Sequence, residues 1–132
     1  MMVWVRAEVP GAASVCFANL HASAGLPELA SREVVAGATA AVDWSGGDPL
    51  VFGGDLNLRP GRDPAAFVEL RERFGLREPT GPNVIDHLLA RGIDVTEPPR
   101  RLAPEERELV EEGGLRLRLS DHAPVVASYE VR

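Results

Sequence analysis

Five polar clusters interrupt the apolar runs of this 132-residue chain: Asn19-Leu20-His21, Gly54-Asp55-Leu56-Asn57, Thr80, Asp86-His87 and Ser120-Asp121-His122. Most of them stand at the ends of segments that read as strands. Side chains alternate faces along a strand, so Asn19 and His21 are expected to point one way, as are Asp55 and Asn57, with Leu20 and Leu56 turned away. Groups of this kind suit attack on a phosphoester. That chemistry needs a hard cation on oxygen ligands, a base to ready water, donors for the developing negative charge and an acid for the leaving oxygen. Asp55, Asn57 and Asp121 are oxygen donors that suit Mg²⁺ or Mn²⁺, since Mg²⁺ keeps several waters and needs only one or two protein carboxylates. Zinc fits poorly, because Cys16 is the only cysteine and the three histidines lack an HExxH-type spacing. Asp86 is the natural partner to fix the tautomer of His122, whereas His87 faces away from Asp86 in a regular strand.

Each cluster also has a plainer reading. Asp55 and Asn57 lie between Gly53-Gly54 and Arg59-Pro60-Gly61, a composition that by itself suits a turn. A lone histidine is more often a hydrogen-bonded structural group, and Asp121 after Ser120 can cap a turn. What favours a site is that the clusters occur together.

The elements that must position them follow from periodicity. Val3, Val5, Ala7 and Val9 alternate with Trp4, Arg6, Glu8 and Pro10 as in a strand, and after a Pro10-Gly11 turn a second strand from Ser14 to His21 completes a hairpin. Leu26-Pro27 opens a helix to about Val42, with Leu29, Val34, Ala38 and Ala41 near helical spacing. Leu50 to Gly54 reads as a buried strand. Asp63-Pro64 caps and starts a helix with Phe67, Leu70 and Phe74 on one face, and Gly75 stops it. Val84 to Leu89 and Ile93 to Thr96 are expected as short strands, ended by Pro98-Pro99; Pro104 to Glu112 as a short helix; and Leu115 to Arg132 as two strands broken at Ser120 to Pro124. The sum is an interleaved α/β unit.

Composition narrows the classes of function. The net charge of -6 argues against broad wrapping of duplex nucleic acid, which draws affinity from many cations on phosphates. With 5% aromatic residues there is little material for stacking single strands. All 14 basic residues are arginine, a coding bias more than chemistry. No apolar run approaches the roughly 20 residues of a membrane span, no secretory signal pattern opens the chain, and one cysteine rules out a disulfide framework. A cytoplasmic protein is expected.

In order, N-L-H, G-G-D-L-N-L-R-P, I-D-H and S-D-H-A-P-V resemble the motifs of the endonuclease/exonuclease/phosphatase superfamily, over about Val15 to Val131. That group includes DNase I-like nucleases, exonuclease III-like repair enzymes, sphingomyelinases and inositol-polyphosphate phosphatases. The resemblance implies a DNase I-like two-sheet α/β sandwich of antiparallel and mixed sheet with flanking helices, and phosphoester hydrolysis with a divalent metal, usually Mg²⁺. It implies that His21 binds the phosphate or protonates the leaving group, with Asn19 beside it. Asp55 would orient or activate water, and Asn57 would stabilise the pentacovalent transition state. Asp86 would partner His122, itself the general base or the group polarising the phosphate. Asp121 would lie near the metal, with Asp55 a further candidate ligand.

Members of this superfamily also have an N-terminal half whose Q-E-type glutamate is a principal metal ligand, and Glu8 and Glu28 stand in other contexts. Residues 1–132 are therefore expected to form one unit equivalent to the C-terminal half of such a domain, with the N-terminal half absent. Apolar sheet surface would then be left for a homodimer. Two functions compete: a metal-dependent phosphoesterase, or a catalytically inactive remnant acting as a self-associating or binding module. Nucleic acid, a phospholipid head group and a small phosphoester all stay open as substrates, as does the number of metals.

Overall fold

A computed structural model describes residues 1–118 and 120–131, so Leu119 and Arg132, which end the last two expected strands, lie outside the described residues. β1 (Met2–Ala7) and β2 (Val15–Leu20) form the expected antiparallel hairpin, with Met2 opposite Leu20 and Val5 opposite Phe17. α1 (Pro27–Ser45) then carries the chain to β3 (Leu50–Asp55), which lies parallel to β2. α2 (Pro64–Phe74) precedes β4 (Asp86–Arg91), antiparallel to β3, giving a four-stranded mixed sheet of order β1-β2-β3-β4.

The two helices cover one face of that sheet because their apolar residues recur at helical spacing. Ala30, Val34, Ala38 and Ala41 of α1 and Phe67, Leu70 and Phe74 of α2 are buried with Cys16, Ala18 and Leu20 of β2, Leu50 and Phe52 of β3 and Leu89 of β4. Both helices start on proline and end on a left-handed glycine, Gly46 and Gly75. Asp63 does not cap α2 with its side chain. Its Oδ2 instead accepts the N–H of Arg59 at 2.9 Å, tightening the loop before the helix.

Beyond β4 the expectations need correction. β5 (Asp94–Arg101) does not stop at Pro98-Pro99 but runs through them, paired with β8 (Val125–Glu130). The prolines are tolerated because, among the described residues, β5 has β8 as its only strand partner and two register shifts break its ladder between Val95 and Arg100. The helix expected to Glu112 is a single turn, α3 (Pro104–Arg107). The rest pairs as β6 (Glu108–Val110) with β7 (Arg116–Arg118).

β5 and β8 form a second sheet that meets the first at β4, on the face opposite the helices. Towards β1 that face is open: Val3, Val5 and Phe17 are 58%, 60% and 39% exposed. Among the described residues, no helix is long and apolar enough to cross a membrane.

Candidate active site

The polar clusters meet where β2 and β3 end and β4 and β8 begin. The register places Asp55, the last residue of β3, directly opposite Asp86, the first of β4. Adjacent strands keep opposed residues on one face, so both carboxylates emerge together on the face away from the helices. From the loop before β8, His122 comes down onto them. Its Nδ1 lies 2.9 and 3.0 Å from the two oxygens of Asp86, and its Nε2 lies 3.8 Å from Oδ2 of Asp55. Ser120 Oγ accepts the His122 backbone N–H at 3.1 Å, which shapes the turn that delivers the ring. From β2, the exposed His21 approaches the same Asp55 oxygen, Nε2 to Oδ2, at 3.7 Å.

An ionised carboxylate can only accept, so His122 Nδ1 carries the proton towards Asp86 and Nε2 faces Asp55. The hydrogen bond to Asp86, and then its charge, holds the His122 imidazole above its ordinary pKa; burial offsets part of the rise, and Asp55 and Asp121 add smaller increments. Oδ1 of Asp55 accepts the Asn57 N–H at 3.1 Å. Its Oδ2 accepts no hydrogen bond among the described residues. Ligand atoms of Asp55, Asp86 and His122 all lie within 4.8 Å of one another, close enough to share one cation.

Asn57 reaches the site differently from a strand residue. The strand ends at Asp55, and Asn57 takes a left-handed conformation, φ 52°, which asparagine tolerates better than most residues. Its Nδ2 donates to the Ala22 carbonyl at 2.8 Å, tying the β3 exit to the β2 exit. The expected strand alternation from Asp55 to Asn57 is therefore replaced by a turn. Asn19 lines the cleft beside Gly54, while Asp121 is exposed next to His122 and outside the three-residue group.

The cleft encloses ≈ 530 Å³, with Asn19, His21, Asp55, Asp86, Ser120 and His122 on its polar side and Leu88 and Val125 as an apolar wall. A larger groove of ≈ 680 Å³ lies at the other end of β4, by Arg77 and Arg91, away from these groups.

His87 lies on the opposite face of β4 and is buried, 1% exposed, among the helix-side residues. Its ring meets Phe67 edge-on, centroids 5.0 Å apart, and its burial pushes the imidazole below its ordinary pKa. Gly54 is a feature composition shows but does not explain. With φ +114°, it brings the β3 backbone so close to β2 that a Cβ there would lie 2.3 Å from the Leu20 carbonyl oxygen.

Compared with known proteins, the chain matches no protein-family model and no curated protein. It does match solved structures along nearly its whole length. The human Nocturnin catalytic domain, solved with a bound sulfate anion, superposes with a TM-score of 0.67 at 14% identity, over 99% of this chain and 52% of that one. A beta toxin from Staphylococcus aureus gives 0.66 at 13%, over 96% and 56%. An endonuclease/exonuclease/phosphatase family protein from Bacteroides thetaiotaomicron gives 0.62 at 17%, over 88% and 48%. The fold is the DNase I-like one that these solved structures share. Within this DNase I-like fold, the chain spans about half the length of each solved structure named here. Its mixed sheet, flanking helices and second sheet correspond to half of the two-sheet sandwich that the motifs implied.

Proposed function

We propose that this chain carries the acid–base groups of a divalent-metal-dependent phosphoesterase. The observation that carries the reading is the convergence of Asp55, Asp86 and His122 at one sheet end, with His122 Nδ1 held 2.9 Å from Asp86. Convergent titratable groups with a perturbed imidazole, set in a cleft, are the pattern of general acid–base sites. The DNase I-like fold supports it, as does the sulfate in the Nocturnin domain, an anion of phosphate-like shape.

The residues divide the work as follows. Asp55 Oδ2, which accepts no hydrogen bond among the described residues and faces the cleft, aligns a water and accepts its proton as the water oxygen bonds to phosphorus. His122, whose protonated form the Asp86 hydrogen bond favours, donates from Nε2 to a phosphoryl oxygen and steadies the charge that grows there. The exposed His21 gives a proton to the leaving oxygen as its bond to phosphorus breaks. Asn19, which lines the cleft, serves the phosphate as an amide donor, and Asn57 has for that role the Nδ2 hydrogen not given to the Ala22 carbonyl.

A hard cation fits this donor set in part. Both Asp86 oxygens face the His122 proton, so Asp55 is the carboxylate of that group left to hold it, with Asp121, exposed beside His122, as the candidate from outside the group. One or two carboxylates with water and substrate oxygens suffice for Mg²⁺ or Mn²⁺. Bound there, the cation supplies positive charge to the phosphoryl group. The deciding assay is hydrolysis of bis(4-nitrophenyl) phosphate with Mg²⁺ or Mn²⁺, by the 132 residues alone and by the same residues joined to the N-terminal half of a DNase I-like domain. Turnover is expected from the joined form, weak or none from the chain alone, and none after EDTA, Asp55→Ala or His122→Ala. Metal-independent turnover, or full activity in both variants, refutes the assignment.

The exposed Val3, Val5 and Phe17 favour a second property, association through the open sheet face. That property also fits the binding-module reading, which the assay separates by the absence of turnover in every form.

A further inference from the structure

From its hydrogen bonds we infer that His87 is a positioning residue: its Nε2–H holds together the chain leaving β3 and the chain entering β4, setting Asp55 and Asn57 against Asp86. His87 Nε2 lies 3.1 Å from the Leu58 carbonyl and 3.0 Å from the Val84 carbonyl. A carbonyl only accepts, so Nε2 carries the proton. Nδ1 meets the Thr80 backbone N–H at 3.3 Å, and an amide only donates, so Nδ1 is bare. One neutral tautomer satisfies all three contacts, and a cationic ring does not.

The placement explains why this matters to the face His87 does not occupy. Leu58 follows Asn57 directly, and Val84 stands two residues before Asp86. Backbone pairing between the two segments is sparse here: Leu56 N–H donates to the Ile85 carbonyl at 2.9 Å, and Gly61 N–H to the Pro82 carbonyl at 2.8 Å. Between those bonds runs Asn57 to Pro60, including the left-handed Asn57, a conformation that persists only where its surroundings determine it. The imidazole fills that gap from beneath, wedged on Phe67. Through it, the spacing of Asp55 from Asp86, and so of His122 from both, is tied to a buried group.

The inference deepens the phosphoesterase reading and rests on it for its catalytic consequence, but not for its structural one. In the 132-residue chain, ¹⁵N NMR is expected to show His87 protonated at Nε2. Amide exchange is read at Asn57, whose N–H bonds to Asp55 Oδ1. His87→Leu, similar in volume but without a donor, is expected to lose at least about tenfold in Asn57 protection, while His87→Gln, which keeps a donor for both carbonyls, retains most of it. Phe67→Leu is the control, removing the packing but no hydrogen bond, and leaves Asn57 protection unchanged even where the melting temperature drops. In the joined, active form, His87→Leu is expected to lower kcat by roughly 100-fold with KM little changed, as misplaced reacting groups do, and His87→Gln to recover most of it. A proton on Nδ1, Asn57 protection intact in His87→Leu, or an equal loss in Phe67→Leu overturns the inference. If the exchange results hold and the wild type never turns over, the positioning role stands and the phosphoesterase reading falls.

Discussion

Replacing Gly54 by alanine tests whether close backbone contact, rather than side-chain chemistry, holds the site in shape. Two costs follow from the geometry. At φ +114° an L side chain is strained by about 1–3 kcal/mol. The added Cβ would also stand 2.3 Å from the Leu20 carbonyl oxygen and 2.9 Å from Asn19 Oδ1, so the ends of β2 and β3 must move apart, at about 1–3 kcal/mol more. The sum, about 2–6 kcal/mol, is a large part of the roughly 5–15 kcal/mol that holds a domain folded. At about 4 °C per kcal/mol it lowers the melting temperature by roughly 8–24 °C. Gly47 separates the two costs: its φ is +100°, yet nothing lies within 4 Å of a Cβ built there. Thermal and urea unfolding of Gly54→Ala and Gly47→Ala, side by side, therefore isolates the contact term. A stability loss in Gly54→Ala no larger than in Gly47→Ala refutes a contact cost at Gly54.

Other outcomes follow from the same structure. Asp86→Asn weakens the hydrogen bond and removes the charge that together raise the His122 pKa, so in metal-free buffer the His122 titration seen by NMR is expected to move to lower pH; an unmoved titration refutes the pairing. The buried His87 has a lowered pKa, so the stability it contributes is complete above the unfolded value of about 6.5 and is lost as pH falls towards the folded one. Urea unfolding at pH 7 and pH 5 is expected to show that loss, and His87→Gln to lessen it. Self-association through the open face is expected in the isolated chain by analytical ultracentrifugation and is abolished by Val5→Asp with Phe17→Asp, whereas an unchanged sedimentation profile in the double variant places the contact elsewhere.

Much of the fold was legible because its signals are local. Pro27 and Pro64 mark helix starts, Gly46 and Gly75 the stops, and the apolar stripes of α1 and α2 show which face is buried. The failures came where pairing outweighed local preference. Pro98-Pro99 reads as a stop, yet β5 tolerates both prolines because its ladder is already broken by register shifts. Glu108 to Val110 reads as helix, yet pairs with Arg116 to Arg118 as a ribbon. Asp63 has the right type for a helix cap, but the Arg59 N–H takes its carboxylate first.

For the candidate site, residue type and order along the chain nominate Asn19, His21, Asp55, Asn57, Asp86, Asp121 and His122 as candidates, because each chemical role restricts the side chains able to fill it. Distance was not in the sequence. That Asp55 and Asp86 stand opposite each other depends on the β3–β4 register, and that His122 meets Asp86 depends on a second sheet folding back onto β4. Nor could alternation along a strand show that a left-handed Asn57 closes the turn, or that His87, facing away, ties the two carboxylate-bearing segments from below. Local chemistry is written in residue types. Which groups share a cleft is decided by contacts between residues dozens of positions apart, which only packing brings together.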